Sequence, residues 1–302
     1  MDFPNSWATP KVSHSDDDWW VGTFYGFATV QNAPAVKERM DSLLAGSDVS
    51  GTILIADEGA NGTLCAPTQA LLVDALHALA QDIGLAQGFD PTWSRVDRPI
   101  FRKLKVQVKK EIVTFKTPEA TPLAGEGGDH LAAEDWNALI QDPDTIIIDT
   151  RNSFETKVGT FPGAIDPGNV SFSEFPQFVR DQLKGKEDKK IAMFCTGGIR
   201  CEKASVFMKN EGFDQVFQLK GGILRYFQET NEQSNLWDGD CYVFDDRVAL
   251  NKDLEPGGHI SCPVCRMPVR PVQFEDPKFK AGWSCPNCAD DKSYDRTRES
   301  SM

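Results

Sequence analysis

The chain has 302 residues, 40% of them hydrophobic and 25% charged, with 45 acids against 32 bases and a formal net charge of −13. That length buries a sizeable core and accommodates more than one domain, and the composition is that of a folded rather than a disordered chain. No apolar run approaches the roughly 18 residues of a membrane span, the start is too acidic for a signal peptide, and the charge total disfavours a strongly basic nucleic-acid binder unless bases cluster locally.

Residues 1–18, with Pro4, Pro10 and the acids Asp16 to Asp18, read as a flexible tail. Trp19 to Val30 reads as a strand. Pro34 to Leu44 reads as a helix capped by Asn32, and Val49 to Ala56 as a β-branched strand. Glu58 to Gly62 carries a turn signal around Asn61-Gly62, and Thr63 to Ala66 continues as the partner strand. Pro67 to Ile83 shows a helical stripe of Leu71, Leu72, Ala75, Leu79 and Ile83, and Leu104 to Val113 alternates as a last strand. The β-α-β-β-α-β order predicts a ferredoxin-like, acylphosphatase-like domain over residues 19–116.

Residues 117–128, rich in proline and glycine, read as a linker, and a second unit is expected over 129–235. Its helices are predicted at Leu131–Ile140, Glu174–Leu183, Cys201–Glu211 and Ile223–Glu229. Its strands are predicted at Thr145–Asp149, around the apolar run Ile146–Ile148, at Ile191–Phe194, a second buried strand, and at Val216–Leu219. Such strands alternating with helices imply a small parallel α/β domain. Residues 236–302 lose this alternation. Tyr242 to Phe244 reads as one more strand, and the last dozen residues as a frayed end. There is no internal repeat. The chain is thus an α/β and α+β multidomain protein with a small cysteine-rich carboxy-terminal segment.

The loop Cys195-Thr196-Gly197-Gly198-Ile199-Arg200-Cys201 follows an apolar strand and opens a helix. Adjacent glycines let backbone amides curl around the Cys195 sulfur, the helix start favours an anion, and Arg200 adds positive charge. All three lower a thiol pKa, so Cys195 is expected to be a reactive thiolate. Asp149-Thr150-Arg151 ends the first strand of the same unit, where parallel sheets place their sites. Asp149 either fixes the loop amides and Arg200 or takes part in the chemistry, with fixing preferred, and Glu155 reads as a solvated surface group. Cys201 is either a reactive partner of Cys195 or a packed thiol. Cys65 and Cys241 read as core cysteines.

From Arg95 to Lys116 there are eight bases and two acids, a local charge of +6. Lys103, Lys105 and Lys109 share a strand face by alternation. They suit either phosphate contacts or an edge kept soluble by lysines. Trp93 and Phe101 nearby are either base-stacking groups or core. Cys262-Pro-Val-Cys265 and Cys285-Pro-Asn-Cys288, 19 residues apart, match two knuckles of a closed tetrahedral thiolate site. Such a site would be structural, with the spacing favouring zinc over an iron–sulfur cluster and His259 a bystander; the alternative is two unmetallated pairs or disulfides. The other thiols suit a reducing, cytoplasmic setting.

Asp149-Thr-Arg151, Gly159-Thr-Phe-Pro-Gly-Ala-Ile165, Cys195-Thr-Gly-Gly-Ile-Arg200 and Leu219-Lys-Gly-Gly222 together resemble a rhodanese domain. In that family the loop cysteine carries a persulfide, and the loop is one residue shorter than in the related phosphatases. Phe24-Tyr25-Gly-Phe27, Ala56-Asp-Glu-Gly-Ala-Asn-Gly-Thr63, Cys195 through Lys203 and Gly239-Asp-Cys-Tyr-Val-Phe-Asp-Asp-Arg247 extend the resemblance over about residues 19–290. They are similar to the rhodanese-containing tRNA uridine(34) hydroxylases.

The resemblance implies an oxidoreductase that makes 5-hydroxyuridine at the tRNA wobble position with molecular oxygen as co-substrate, centred on Cys195. It also makes the tRNA anticodon loop the partner and favours tRNA contact by the lysine row. The alternative is a sulfurtransferase carrying a Cys195 persulfide. Thiolate addition to uracil C6 by Cys195 or Cys201 would make C5 nucleophilic; a sulfur-borne oxidant is the other route. There is no Gly-x-Gly-x-x-Gly fingerprint, and four scattered histidines do not make an iron triad, so no organic cofactor is assigned. No membrane and no stable protein partner is expected, and no oligomeric state is specified.

Overall fold

The computed structural model describes residues 18–123, 126–291 and 293–294. The expected amino-terminal tail, apart from Asp18, and most of the expected frayed end lie outside them. The first domain contains β1 (Trp19–Phe27), α1 (Ala33–Leu43), β2 (Ser50–Ala56), β3 (Gly59–Ala66), α2 (Gln69–Ile83), β4 (Thr92–Val96) and β5 (Leu104–Val108). Asn32 caps α1 by accepting from the Ala35 amide, and Thr68 caps α2.

The sheet order is β4-β1-β3-β2-β5. Its first four strands pair antiparallel as a ferredoxin-like domain requires. Two expectations are corrected. The closing strand of the motif is β4, antiparallel to β1, whereas Leu104–Val108 is a fifth strand parallel to β2 at the opposite edge. The hairpin turns at Asp57-Glu58, so Asn61-Gly62 lies inside β3, where Asn61 donates to the Ile112 carbonyl at 3.0 Å.

Alternation gives this sheet two unlike faces. Phe24, Ile53, Ile55, Leu64 and Val106 pack against α1 and α2, and Trp93 joins that core at 3% exposure, which settles it as core. Thr23, Tyr25, Thr52, Leu54, Asn61 and Thr63 line the other face.

The chain then crosses to the second domain. Phe115 and Ala120 are fully buried in its core, so this segment packs rather than swings. The second domain contains β6 (Asp129–Leu131), α3 (Ala133–Ile140), β7 (Thr145–Asp149), α4 (Ser153–Thr156) and β8 (Gly159–Thr160). It continues with α5 (Phe175–Phe178), β9 (Lys190–Phe194), α6 (Ile199–Asn210), β10 (Val216–Leu219) and α7 (Gly222–Glu229). Leu131, expected to open a helix, instead ends β6. Helical backbone around α5 runs from Phe172 to Leu183 through a 3-10 and a π turn. The main sheet has the order β6-β10-β9-β7 and is parallel throughout. The expected parallel α/β unit is therefore present.

The carboxy-terminal segment adds β11 (Asp238–Gly239), paired with β8, then β12 (Cys241–Tyr242) paired with β13 (Ala249–Leu250), and finally β14 (Ile260–Ser261) paired with β15 (Pro268–Val269). Trp237, Cys241, Leu250 and Leu254 enter the core around Trp136, Phe161 and Phe194, so the extension is built onto the second domain. Tyr242–Phe244, expected as a strand, is one only at Tyr242. Among the described residues no helix is long and apolar enough to cross a membrane.

Candidate active site

Cys195 sits where β9 ends, fully buried, and the next five residues wrap its sulfur. The Gly198 amide donates to Cys195 Sγ at 3.1 Å. The loop is pinned from behind by α7, whose Ile223 and Leu224 amides donate to the Cys195 and Thr196 carbonyls at 3.0 and 3.1 Å. Two glycines are required by this closeness. A Cβ on Gly222 would lie 2.5 Å from the Cys195 carbonyl oxygen, and one on Gly198, where φ is +100°, would lie 2.8 Å from the Tyr25 hydroxyl.

Burial alone would push the Cys195 thiol up, but a hydrogen bond from the Cys201 thiol, the Arg200 charge and the Arg200 and Cys201 amides outweigh it, bringing its pKa down to about 6. Cys201 is pushed well above the usual thiol range, first by burial and then by its role as donor to Cys195. The Thr150 hydroxyl lies 3.6 Å from Cys201 Sγ. The pair is thus a thiolate and a thiol in one buried contact.

Arg200 is held by the residue set aside as a surface acid. Glu155 is fully buried and takes Arg200 in a bidentate pair, Nη1 to Oε1 at 2.6 Å and Nη2 to Oε2 at 2.9 Å. Burial would raise the Glu155 carboxyl, yet Arg200 and Arg151 hold it below the usual range. Asp149 does not reach Arg200. It binds Arg151 through Nε at 2.8 Å and Nη2 at 2.6 Å, and accepts from Thr160. Arg151 also donates to the Gly159 carbonyl and lies over the Trp237 ring. The expectation that Asp149 orders the loop is corrected: a neighbour two residues away captures its carboxylate, and Glu155 on α4 orders Arg200 instead. Glu155 also closes its own turn, its Oε1 accepting from the Asn152 amide at 3.1 Å.

Over this loop lies the uncovered face of the first domain. Between them is a cavity of about 1090 Å³ whose floor includes Cys195, Thr196, Gly197, Ile199 and Arg200. Its roof is the Tyr25 and Asn61 face of the sheet; Phe101, Lys109, Lys110 and Lys116 stand on one side, and Val243, Phe244 and Asp245 on another. The domains are locked by Lys203 on α6, only 2% exposed, which pairs with Glu58 and Glu111 at 2.8 and 2.7 Å. Arg247 of the extension donates to Ser94 of β4. Of the expected lysine row, Lys109 lines the cavity, while Lys105 is exposed on β5 and Lys103 is exposed just before it. The register pairs Lys105 with Thr52 and Gln107 with Leu54, so Lys105 lies on the cavity-facing side of the sheet. Sequence reasoning missed Tyr25, Lys203 and Phe244 as site residues, although each falls within the motifs quoted above.

Far from this cavity, Cys262, Cys265, Cys285 and Cys288 gather their sulfurs within 4.8 Å of one another, all buried. Three of the separations are 3.5, 3.8 and 3.9 Å. A tetrahedron of thiolates around an ion at a metal–sulfur distance of about 2.3 Å has edges of about 3.8 Å, so the four fit a metal ion. They are too far apart for disulfides, which need about 2.05 Å. His259 lies by Asp240 and is not in the cluster.

A parallel α/β domain with a buried, amide-wrapped cysteine, roofed by an acylphosphatase-like sheet, defines a rhodanese-like two-domain protein. A family model described as UPF0176 acylphosphatase like domain matches residues 19–112, and one described as Rhodanese-like domain matches residues 132–229. The tRNA uridine(34) hydroxylase of Agrobacterium fabrum is 44% identical over 286 residues, 95% of this chain and 89% of that protein. Those of Rhizobium leguminosarum bv. trifolii and Mesorhizobium japonicum are each 42% identical, covering 96% and 92% of this chain and 93% and 89% of their own lengths. The chain belongs to the tRNA uridine(34) hydroxylase family.

Proposed function

We propose that this protein hydroxylates C5 of uridine 34 in tRNA, with molecular oxygen as co-substrate and Cys195 as the reacting residue. The observation that carries the reading is a thiolate with a pKa of about 6 on the floor of a nucleotide-sized cavity. The net change, C5–H plus O2 plus two protons and two electrons from a reductant outside the chain to C5–OH plus water, needs a C5 that is electron-rich. Addition of Cys195 Sγ to C6 makes it so, by moving the C5=C6 pair toward C5 and O4. Arg200 and the loop amides hold the sulfur anionic, and Glu155 holds Arg200. Asp149 and Arg151 brace the end of β7.

The target base enters the cavity flipped out of any stack, which costs little in an anticodon loop. Lys109, Lys110 and Lys116, with Lys103 and Lys105 along the strand, are placed for phosphates, which position the tRNA without reading it. Phe101 and Phe244 offer faces for neighbouring bases. The four-cysteine cluster takes structural zinc: with four protein thiolates no position is left open for substrate. The wobble-modifying activity assigns the protein to the cytoplasm.

Analysis of tRNA nucleosides from cells lacking the gene tests the reading. The 5-hydroxyuridine derivatives disappear, and wild type but not Cys195→Ala restores them. An unchanged nucleoside profile refutes it, and cyanide-releasable sulfur on Cys195 would then favour the persulfide alternative.

A further inference from the structure

A polar network at the cavity wall takes no part in holding the loop. Tyr25 lines the cavity from β1, and its hydroxyl donates to Glu202 Oε1 at 2.8 Å. The same carboxylate oxygen lies 2.9 Å from His130 Nε2. Gln218 Nε2 clamps both partners, 2.9 Å from His130 Nε2 and 3.2 Å from Glu202 Oε2. The Glu202 side chain is 14% exposed and that of His130 is 45% exposed, so the chain of groups runs from the cavity to solvent. It joins four elements: β1, α6, β6 and, through Gln218, β10. With its proton committed to Glu202, the Tyr25 oxygen keeps a lone pair for whatever occupies the cavity.

C5 hydroxylation needs such a path. Once oxygen is on C5, restoring the C5=C6 bond releases the C5 hydrogen as a proton. Cys195 cannot take it while bonded to C6. The two cavity carboxylates are committed, Glu111 to Lys203 and the Phe115 and Lys116 amides, and Asp245 to the Arg247 guanidinium. We propose, resting on the hydroxylase reading above, that Tyr25 is a catalytic residue that takes the C5 proton while passing its own to Glu202, from which it leaves through His130.

In this step the C5–H bond breaks and a Tyr25 O–H bond forms. The C5–H pair becomes the C5=C6 π bond, and the C6–S pair returns to Cys195 as thiolate. The former Tyr25 proton moves to Glu202 Oε1, then to His130 Nε2, then to water, so no oxidant or reductant is consumed in it. The groups facing His130 are Glu202 from α6, Lys220 beyond β10 and Asp129 on its own strand; those facing Tyr25 are Glu202, Cys195, Cys201 and, from α7, Arg225. The Glu202 hydrogen bond raises the His130 pKa from its ordinary value, with burial and Lys220 opposing. His130 accepts only when neutral, so the rate rises with pH through that midpoint.

The test is single-turnover hydroxylation of an anticodon stem-loop RNA by the full chain, with RNA binding measured alongside. Tyr25→Phe keeps the ring over Gly198 and lowers the rate by about 100-fold or more, the usual share of a general acid–base group, with RNA affinity unchanged. His130→Gln lowers the rate across the pH profile, leaving the limb set by Cys195 in place, and is rescued by added imidazole in a concentration-dependent way. Wild-type rates in Tyr25→Phe, or wild-type rates or an absence of imidazole rescue in His130→Gln, overturn the relay. A wild type that forms no 5-hydroxyuridine overturns the hydroxylase reading itself.

Discussion

Replacing Cys201 by alanine tests how the active thiolate is made. Cys201 is fully buried, and its thiol is the foremost of the groups that bring Cys195 down against the effect of burial, ahead of Arg200 and the loop amides. A hydrogen bond to a charged group contributes about 1.5–3 kcal/mol, and about 1.36 kcal/mol corresponds to one pKa unit. The Cys195 pKa therefore moves from about 6 to about 7–8 in Cys201→Ala. At pH 7 the thiolate fraction falls from about nine-tenths to between about a half and a tenth. The sign follows from the nucleophile being the anion: reactivity rises with pH through the midpoint, so the mutation moves the whole curve to higher pH. The assay is the pH dependence of thiolate absorbance near 240 nm, with Cys195→Ala subtracted, and of iodoacetamide inactivation. Cys201→Ser, which keeps a donor, stays closer to wild type. A midpoint still near 6 in Cys201→Ala would refute the reasoning and leave Arg200 and the amides sufficient.

Glu155→Ala leaves the Arg200 guanidinium buried without its partner, which costs about 3–5 kcal/mol in urea unfolding; a loss under about 1 kcal/mol would show that the pair is not a buried one in solution. Changing Lys103, Lys105 and Lys109 to glutamine weakens tRNA binding and flattens its log-affinity against log-salt slope by about 2, at about 0.7 per single-strand phosphate contact; an unchanged slope returns the row to an exposed edge. The purified protein carries about one zinc per chain, and Cys285→Ser carries less than about 0.2, with the region around β14 and β15 becoming sensitive to protease because it has little apolar core of its own; full metal content in that variant would refute the site.

Much of the second domain was legible because its central strands carry unbroken apolar runs, as Ile146–Ile148 and Ile191–Phe194 do. The first domain was legible as a pattern, but its closing strand was misplaced. β4 carries Thr92 and Ser94 among its buried residues, so its alternation looks polar, whereas Leu104–Val108 alternates cleanly and drew the assignment. The loop around Cys195 was legible because its glycines, arginine and cysteine act within six residues. Glu155 was not, because its burial is created by an arginine 45 residues away. Tyr25 was equally hidden: alternation on β1 shows that it opposes Phe24, but not that a second domain covers that face.

The covered face is what separates this site from a bare rhodanese loop. The loop's amides enclose a single sulfur atom, and on an open domain surface such a loop suits a small donor. Here Lys203, held by Glu58 and Glu111, fixes the first domain's sheet above it, and Arg247 ties the extension to Ser94 beside it. Those contacts convert a sulfur-sized loop into the floor of a space of about 1090 Å³, large enough for a nucleotide and walled by groups from all three segments. The charge distribution follows the same division. A chain of net charge −13 repels polyanions in general, while Lys109, Lys110 and Lys116 of the basic stretch line that one cavity. On the proposed function the acidic total and the cavity lysines act together: the first suppresses indiscriminate binding, and the second marks the surface where an extruded nucleotide would approach Cys195.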